Sequence, residues 1–118
     1  MSQTVHLYGI RNCDTMKKSR AWLESRQIAY TFHDYKVEGV NRADLETWCR
    51  VLGWETVLNR AGTTFKALPE ASKSGLTEER AIALMLAQSS MIKRPMLVAG
   101  GRVMAGFKPA AYEIFFLK

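Results

Sequence analysis

A cysteine stands at position 13 in the run Tyr8-Gly9-Ile10-Arg11-Asn12-Cys13-Asp14-Thr15-Met16-Lys17-Lys18, where an apolar stretch stops and a polar, helix-like one begins. A thiolate, not a thiol, attacks disulfides and oxyanions, and sulfur at the first turn of a helix meets unpaired N–H donors and the positive end of the helix dipole. The Cys13 pKa is therefore expected to fall below that of a free thiol. Arg11 and Lys17 would add to the effect through their charge, and Asp14 would oppose it. With methionine rather than a second cysteine at position 16, a covalent intermediate on Cys13 would be resolved by another molecule. A packing role for a small apolar residue fits poorly at a polar junction preceded by glycine.

The second cysteine reads differently. Cys49 shares a helical face with Leu45 and Leu52, beside Trp48, and is expected to be buried as a small hydrophobe. His6 and His33 fall in predicted strands, where packing or surface exposure is their ordinary role. Two cysteines and two histidines on separate elements have no ligand-like spacing, so no metal site is assigned.

The elements that must hold Cys13 follow from periodicity. Thr4–Tyr8 alternates with Val5 and Leu7 on one side and stops at Gly9, and Ile28–Tyr35 alternates with Tyr30 and Phe32 aligned, so both read as strands. Between them Asn12 is expected to cap a helix carrying Met16, Ser19 and Leu23 on one stripe, flanked by Trp22. A crossover of this length favours a parallel strand pair. Further on, Asn41 caps a helix that stops at Gly53, and Thr77 caps another with Ile82, Met85, Leu86 and Ser89 along one face. Arg60 to Gly75 reads as loop with a short helical turn. Met96–Ala99 and Arg102–Ala105 flank Gly100-Gly101, a two-residue hairpin signal, and Pro109 opens a closing helix with Tyr112, Phe115 and Phe116.

Bulk properties agree with one α/β domain spanning residues 1–118. The 118 residues are 47% hydrophobic, enough for one core, and no apolar run approaches the roughly 20 residues of a membrane span. The N-terminal run MSQTVHLYG lacks the zones of a signal peptide, which predicts a soluble, cytoplasmic protein with reduced thiols. The net charge of +6 suits an anionic partner. Because the cations are dispersed and no nucleic-acid-binding motif is present, a small anion fits better than nucleic acid.

The order βαβ, helical insert, ββα, with Tyr8-Gly9-Ile10 leading to Cys13-Asp14-Thr15-Met16-Lys17-Lys18, then Arg60, Lys93-Arg94-Pro95 and Gly106-Phe107-Lys108-Pro109, resembles the thioredoxin-like family of ArsC-type arsenate reductases and Spx-type regulators. It is most similar to the YffB-type subgroup. The resemblance covers essentially the whole chain and implies a thioredoxin-like fold with a mixed four-stranded sheet, Cys13 as nucleophile, a cis peptide before Pro95, and an anion site drawn from Arg60, Arg94, Lys108, Arg11 and Lys17. Lys108 stands where arsenate reductases usually carry arginine, and Gly9 where they often carry histidine, which turns the expectation away from arsenate. The resemblance thus implies a monomeric thiol–disulfide reductase that binds no cofactor, uses glutathione as co-substrate and acts on a disulfide or oxyanion. The alternatives are an arsenate reductase and an Spx-like transcription regulator docking on RNA polymerase. The regulator's switch resembles a Cys-x-x-Cys pair, which Met16 interrupts.

Overall fold

The computed structural model describes residues 4–117. In chain order the elements are β1 (Val5–Gly9), α1 (Asp14–Ser25), β2 (Thr31–Asp34), α2 (Tyr35–Glu38), α3 (Arg42–Leu52), α4 (Trp54–Val57), α5 (Thr63–Lys66), α6 (Glu70–Lys73), α7 (Glu78–Ala87), a 3-10 turn (Ser89–Met91), β3 (Met96–Ala99), β4 (Arg102–Ala105) and α8 (Pro109–Phe115). They divide into two compact units, one holding residues 4–34 and 94–117 and the other Tyr35–Lys93. Among the described residues no helix is long and apolar enough to cross a membrane.

The first unit is a four-stranded mixed sheet in the order β2-β1-β3-β4. β1 runs parallel to β2 and antiparallel to β3, and β3 and β4 form the expected hairpin, with Gly100 and Gly101 at φ 56° and 77° as its two-residue turn demands. Alternation along β1 sends Val5, Leu7 and Gly9 inward. Val5 and Leu7 meet Leu97 and Ala99 of β3, Met16 and Leu23 of α1, and Tyr112 and Phe115 of α8 in one core. Both helices of this unit are therefore fastened to the same sheet strands, and Ser19 Oγ lies 2.8 Å from Tyr112 Oη in a buried hydrogen bond between α1 and α8. The other side of β1 carries His6 and Tyr8; His6 Nδ1 and His33 Nε2 are hydrogen-bonded at 2.9 Å, and His33 stacks on Tyr8.

Two expectations need correcting here. The second strand is Thr31–Asp34 rather than Ile28–Tyr35, because among the described residues β2 is an edge strand paired with β1, which offers partners from His6 to Gly9. Tyr35 instead opens α2. The cap position of α1 belongs to Cys13, not Asn12: Cys13 has the extended backbone of a cap (φ −134°, ψ 130°), and its carbonyl accepts the first intrahelical bond from the Lys17 N–H at 3.0 Å.

In the second unit the two anticipated caps form. Asn41 accepts a hydrogen bond from the Ala43 N–H at 2.7 Å, and Thr77 Oγ1 accepts one from the Arg80 N–H at 3.2 Å. Gly53 ends α3 at φ 89°. Leu45, Trp48 and Cys49 are buried along α3. The buried stripe of α7 is Ala81, Ile82 and Met85; Leu86 faces outward, and Ser89 belongs to the following turn, so the apolar face is narrower than the spacing suggests. The stretch from Arg60 to Gly75 holds two one-turn helices, α5 and α6, where one was expected. The Arg80 guanidinium steadies this stretch by donating to the carbonyls of Ala71, Ser74 and Gly75.

Candidate active site at Cys13

Cys13 lies between β1, which ends at Gly9, and α1, which begins at Asp14. No side-chain oxygen caps α1. The first-turn N–H groups, which every helix leaves without internal partners, are thus available to the half-buried sulfur. Burial pushes the thiol pKa up. That effect is outweighed by the Met16 N–H, a hydrogen bond from the Arg94 side chain, the Thr15 N–H and the Arg94 charge, and the pKa lies below the ordinary thiol value. The direction agrees with the sequence expectation, while the responsible cation differs. Arg94 acts on the thiol from 81 positions away in the chain, whereas Arg11 and Lys17, its near neighbours in sequence, are exposed and not among the groups that move it.

Arg94 is delivered by the segment entering β3. The Arg94–Pro95 peptide bond is cis, as expected, and Pro95 is buried. The Pro95 carbonyl accepts a hydrogen bond from the Gly106 N–H at 2.8 Å, which ties the Gly106-Phe107-Lys108-Pro109 stretch to the residue following Arg94. Gly106 has φ 80°, a conformation that favours glycine. Phe107 packs edge-on against Tyr112, with ring centroids 4.7 Å apart, and Lys108 is the exposed residue at the head of α8. The fold therefore joins two of the sequence-selected motifs, Arg94-Pro95 and Gly106–Pro109, within the unit that carries Cys13. Arg60 belongs to the other unit, where it is exposed with its guanidinium 5.7 Å from the centroid of Trp54.

Cys49 has the opposite environment. Only 2% of it is exposed, and burial, followed by the charges of Glu78 and Glu55, pushes its pKa up to about 11. Such a thiol is a poor nucleophile near neutral pH. Among the described residues no group of three or more His, Cys, Asp or Glu side chains is placed to hold a metal ion.

One contact near the site, between Gly9 and Met16, escaped sequence reasoning. A Cβ on Gly9 would lie 2.3 Å from Met16 Sδ, so the Met16 side chain fills the space a side chain at position 9 would need. The signal present in the sequence was a glycine at the inward-facing end of β1 followed by a long flexible side chain on the inward stripe of α1.

A mixed sheet with a cysteine at a helix mouth, and an arginine from the segment entering β3 acting on it, describes a thioredoxin-like protein. The ArsC family model matches residues 8–115, and the chain belongs to the ArsC family. Its structure is similar to that of the YffB protein, at a TM-score of 0.92 and 60% identity, covering 94% of this chain and 97% of that one. It is also similar to an arsenate reductase (ArsC) related protein from Brucella melitensis, at a TM-score of 0.77 and 55% identity, covering 96% and 94% of the two chains. Regulatory protein MgsR of Bacillus subtilis is 23% identical over 111 residues, which are 92% of this chain and 87% of that protein.

Proposed function

We propose that this protein is a cytoplasmic, glutathione-dependent thiol–disulfide reductase in which Cys13 is the sole nucleophile. The observation that carries the reading is the Cys13 sulfur at the uncapped start of α1, with two first-turn N–H groups and the Arg94 side chain directed at it, which lower its pKa. In the first step the thiolate attacks one sulfur of a substrate disulfide, forming a mixed disulfide on Cys13 and expelling the other sulfur as a thiolate. The Arg94 guanidinium and the first-turn N–H groups, which stabilise the Cys13 anion, release it as the new S–S bond forms. A glutathione thiolate then attacks the mixed disulfide at the substrate's sulfur, regenerating the Cys13 thiolate. A second glutathione reduces the released adduct, so two glutathiones become one oxidised glutathione for each disulfide reduced. Position 16 is a fully buried methionine with no thiol to attack the intermediate, which supports resolution by an external thiol.

Arginine presents a planar fork suited to a carboxylate of glutathione or to an oxyanion, and Lys108, Arg11 and Lys17 of the same unit are candidates for further anion contacts. Arsenate is the less favoured substrate. Lysine at 108 supplies a point charge without a fork, and the space a histidine side chain at position 9 would need is taken by Met16.

Brief exposure to oxidised glutathione followed by intact-mass measurement tests the reading. One glutathione should add to the wild type and none to Cys13→Ser, and excess reduced glutathione should remove the adduct. Glutathione-linked reduction of a small disulfide should then proceed with wild type and stop with Cys13→Ser. Arsenate reduction without disulfide reduction would replace this reading with the alternative.

A further inference from the structure

Gly9 is the last residue of β1 and is buried. A Cβ placed on it would stand 2.3 Å from Met16 Sδ and 2.7 Å from Cε, closer than real non-bonded atoms come, and 3.3 Å from Cγ, a tight contact. Gly9 is not among the glycines with positive φ, so its backbone conformation does not demand glycine. The demand is steric and comes from one side chain. Met16 is fully buried in the core shared by Leu7, Leu23, Leu97 and Tyr112. Its thioether end therefore has no open solvent to swing into, and interiors at native density offer little spare room. Met16 also belongs to the first turn of α1, and its own N–H is one of the groups directed at the Cys13 sulfur.

We propose that Gly9 and Met16 are a positioning pair for Cys13: the bare Cα at position 9 lets Met16 seat between β1 and the first turn of α1 without displacing that turn, which keeps the Met16 N–H on the sulfur. The proposal rests on the reading of Cys13 as the nucleophile and assigns a role to two residues that touch no substrate. Any L side chain at position 9 must push on Met16. Met16 Sδ and Cε are the flexible end of the side chain, but with Met16 fully buried they have no solvent to move into, so part of that push passes to its main chain and draws the N–H away from the thiolate. A side chain at position 9 then requires a smaller residue at position 16.

The test is made in a Cys49→Ser background, so that Cys13 alone reports, and follows iodoacetamide labelling against pH. Gly9→Ala should move the profile to higher pH and slow labelling near pH 6 by about threefold or more, because thiolate fraction governs the rate there and is only partly offset by greater intrinsic nucleophilicity. Gly9→Ala/Met16→Ala should return the profile toward that of the parent, since the added Cβ then has nothing to displace. A folded Gly9→Ala variant with the parent's profile would overturn the proposal, showing that the thioether bends aside at no cost to the thiolate. If Gly9→Ala does not fold, the pair is read from the double variant: a folded Gly9→Ala/Met16→Ala chain with a cooperative urea transition supports the pairing, and one that also fails to fold overturns it. Turnover is not measured, so failure here leaves the proposed reductase activity standing, and absence of glutathione turnover leaves this pairing standing.

Discussion

Replacing Arg94 with alanine removes a hydrogen bond and a full charge from the Cys13 thiolate together. A charge-assisted hydrogen bond of this kind contributes about 1.5–3 kcal/mol when shielded from water. Cys13 and Arg94 are both only partly buried, and solvent screening brings the expected loss to roughly 1 kcal/mol. That corresponds to about a fivefold smaller thiolate fraction at pH values well below the titration midpoint. The more basic thiolate left behind attacks faster, with a Brønsted coefficient of about 0.4–0.5, so labelling should slow by only about two- to threefold. The sign is determined by the cause: an acid that loses a cation holds its proton longer, and the labelling profile moves to higher pH. Iodoacetamide rates from about pH 5 to 9 in a Cys49→Ser background would follow this. Arg94→Lys should fall between the parent and Arg94→Ala, because it keeps a charge without the fork. Lys108→Ala, at an exposed position, should move the profile least. An unmoved profile in a folded Arg94→Ala variant would refute the assignment of Arg94 to the thiolate.

Two further outcomes concern stability. Ser19→Ala removes the hydrogen-bond partner of the fully buried Tyr112 hydroxyl and should cost about 1–3 kcal/mol in urea denaturation, while adding Tyr112→Phe should recover part of the loss; equal stability of all three chains would deny the bond a role. In alkali, burial holds the protons of Cys49 and Tyr112 to about 11 and about 12, whereas the unfolded chain releases them near the ordinary values of 9.0 and 10.0. Stability present below pH 9 is thus lost between about pH 9 and 12, by up to roughly 2–3 kcal/mol for each group. Cys49→Ser should flatten the lower part of that decline, and an unchanged slope would contradict the burial of its thiol.

The sequence by itself determined the features that depend on nearby residues. The inward stripe of α1 at Met16, Ser19 and Leu23, the Asn41 and Thr77 caps and the Gly100-Gly101 turn all follow from side chains acting within a few positions, and each is found in the fold. Cys13 was legible for the same reason, since a thiol at the start of a helix meets that helix's own N–H groups whatever else is packed around it. Local rules failed where the outcome depended on a partner far along the chain. The length of β2 is decided by which residues of β1 remain to pair with it. The cation on the thiolate is Arg94 rather than Arg11 or Lys17, because adjacency in sequence does not aim a flexible side chain, whereas the strand order brings the segment before β3 to Cys13. Gly9 was legible in the sequence as the end of a strand and as a departure from the histidine of arsenate reductases; its dependence on Met16 exists because α1 packs over β1.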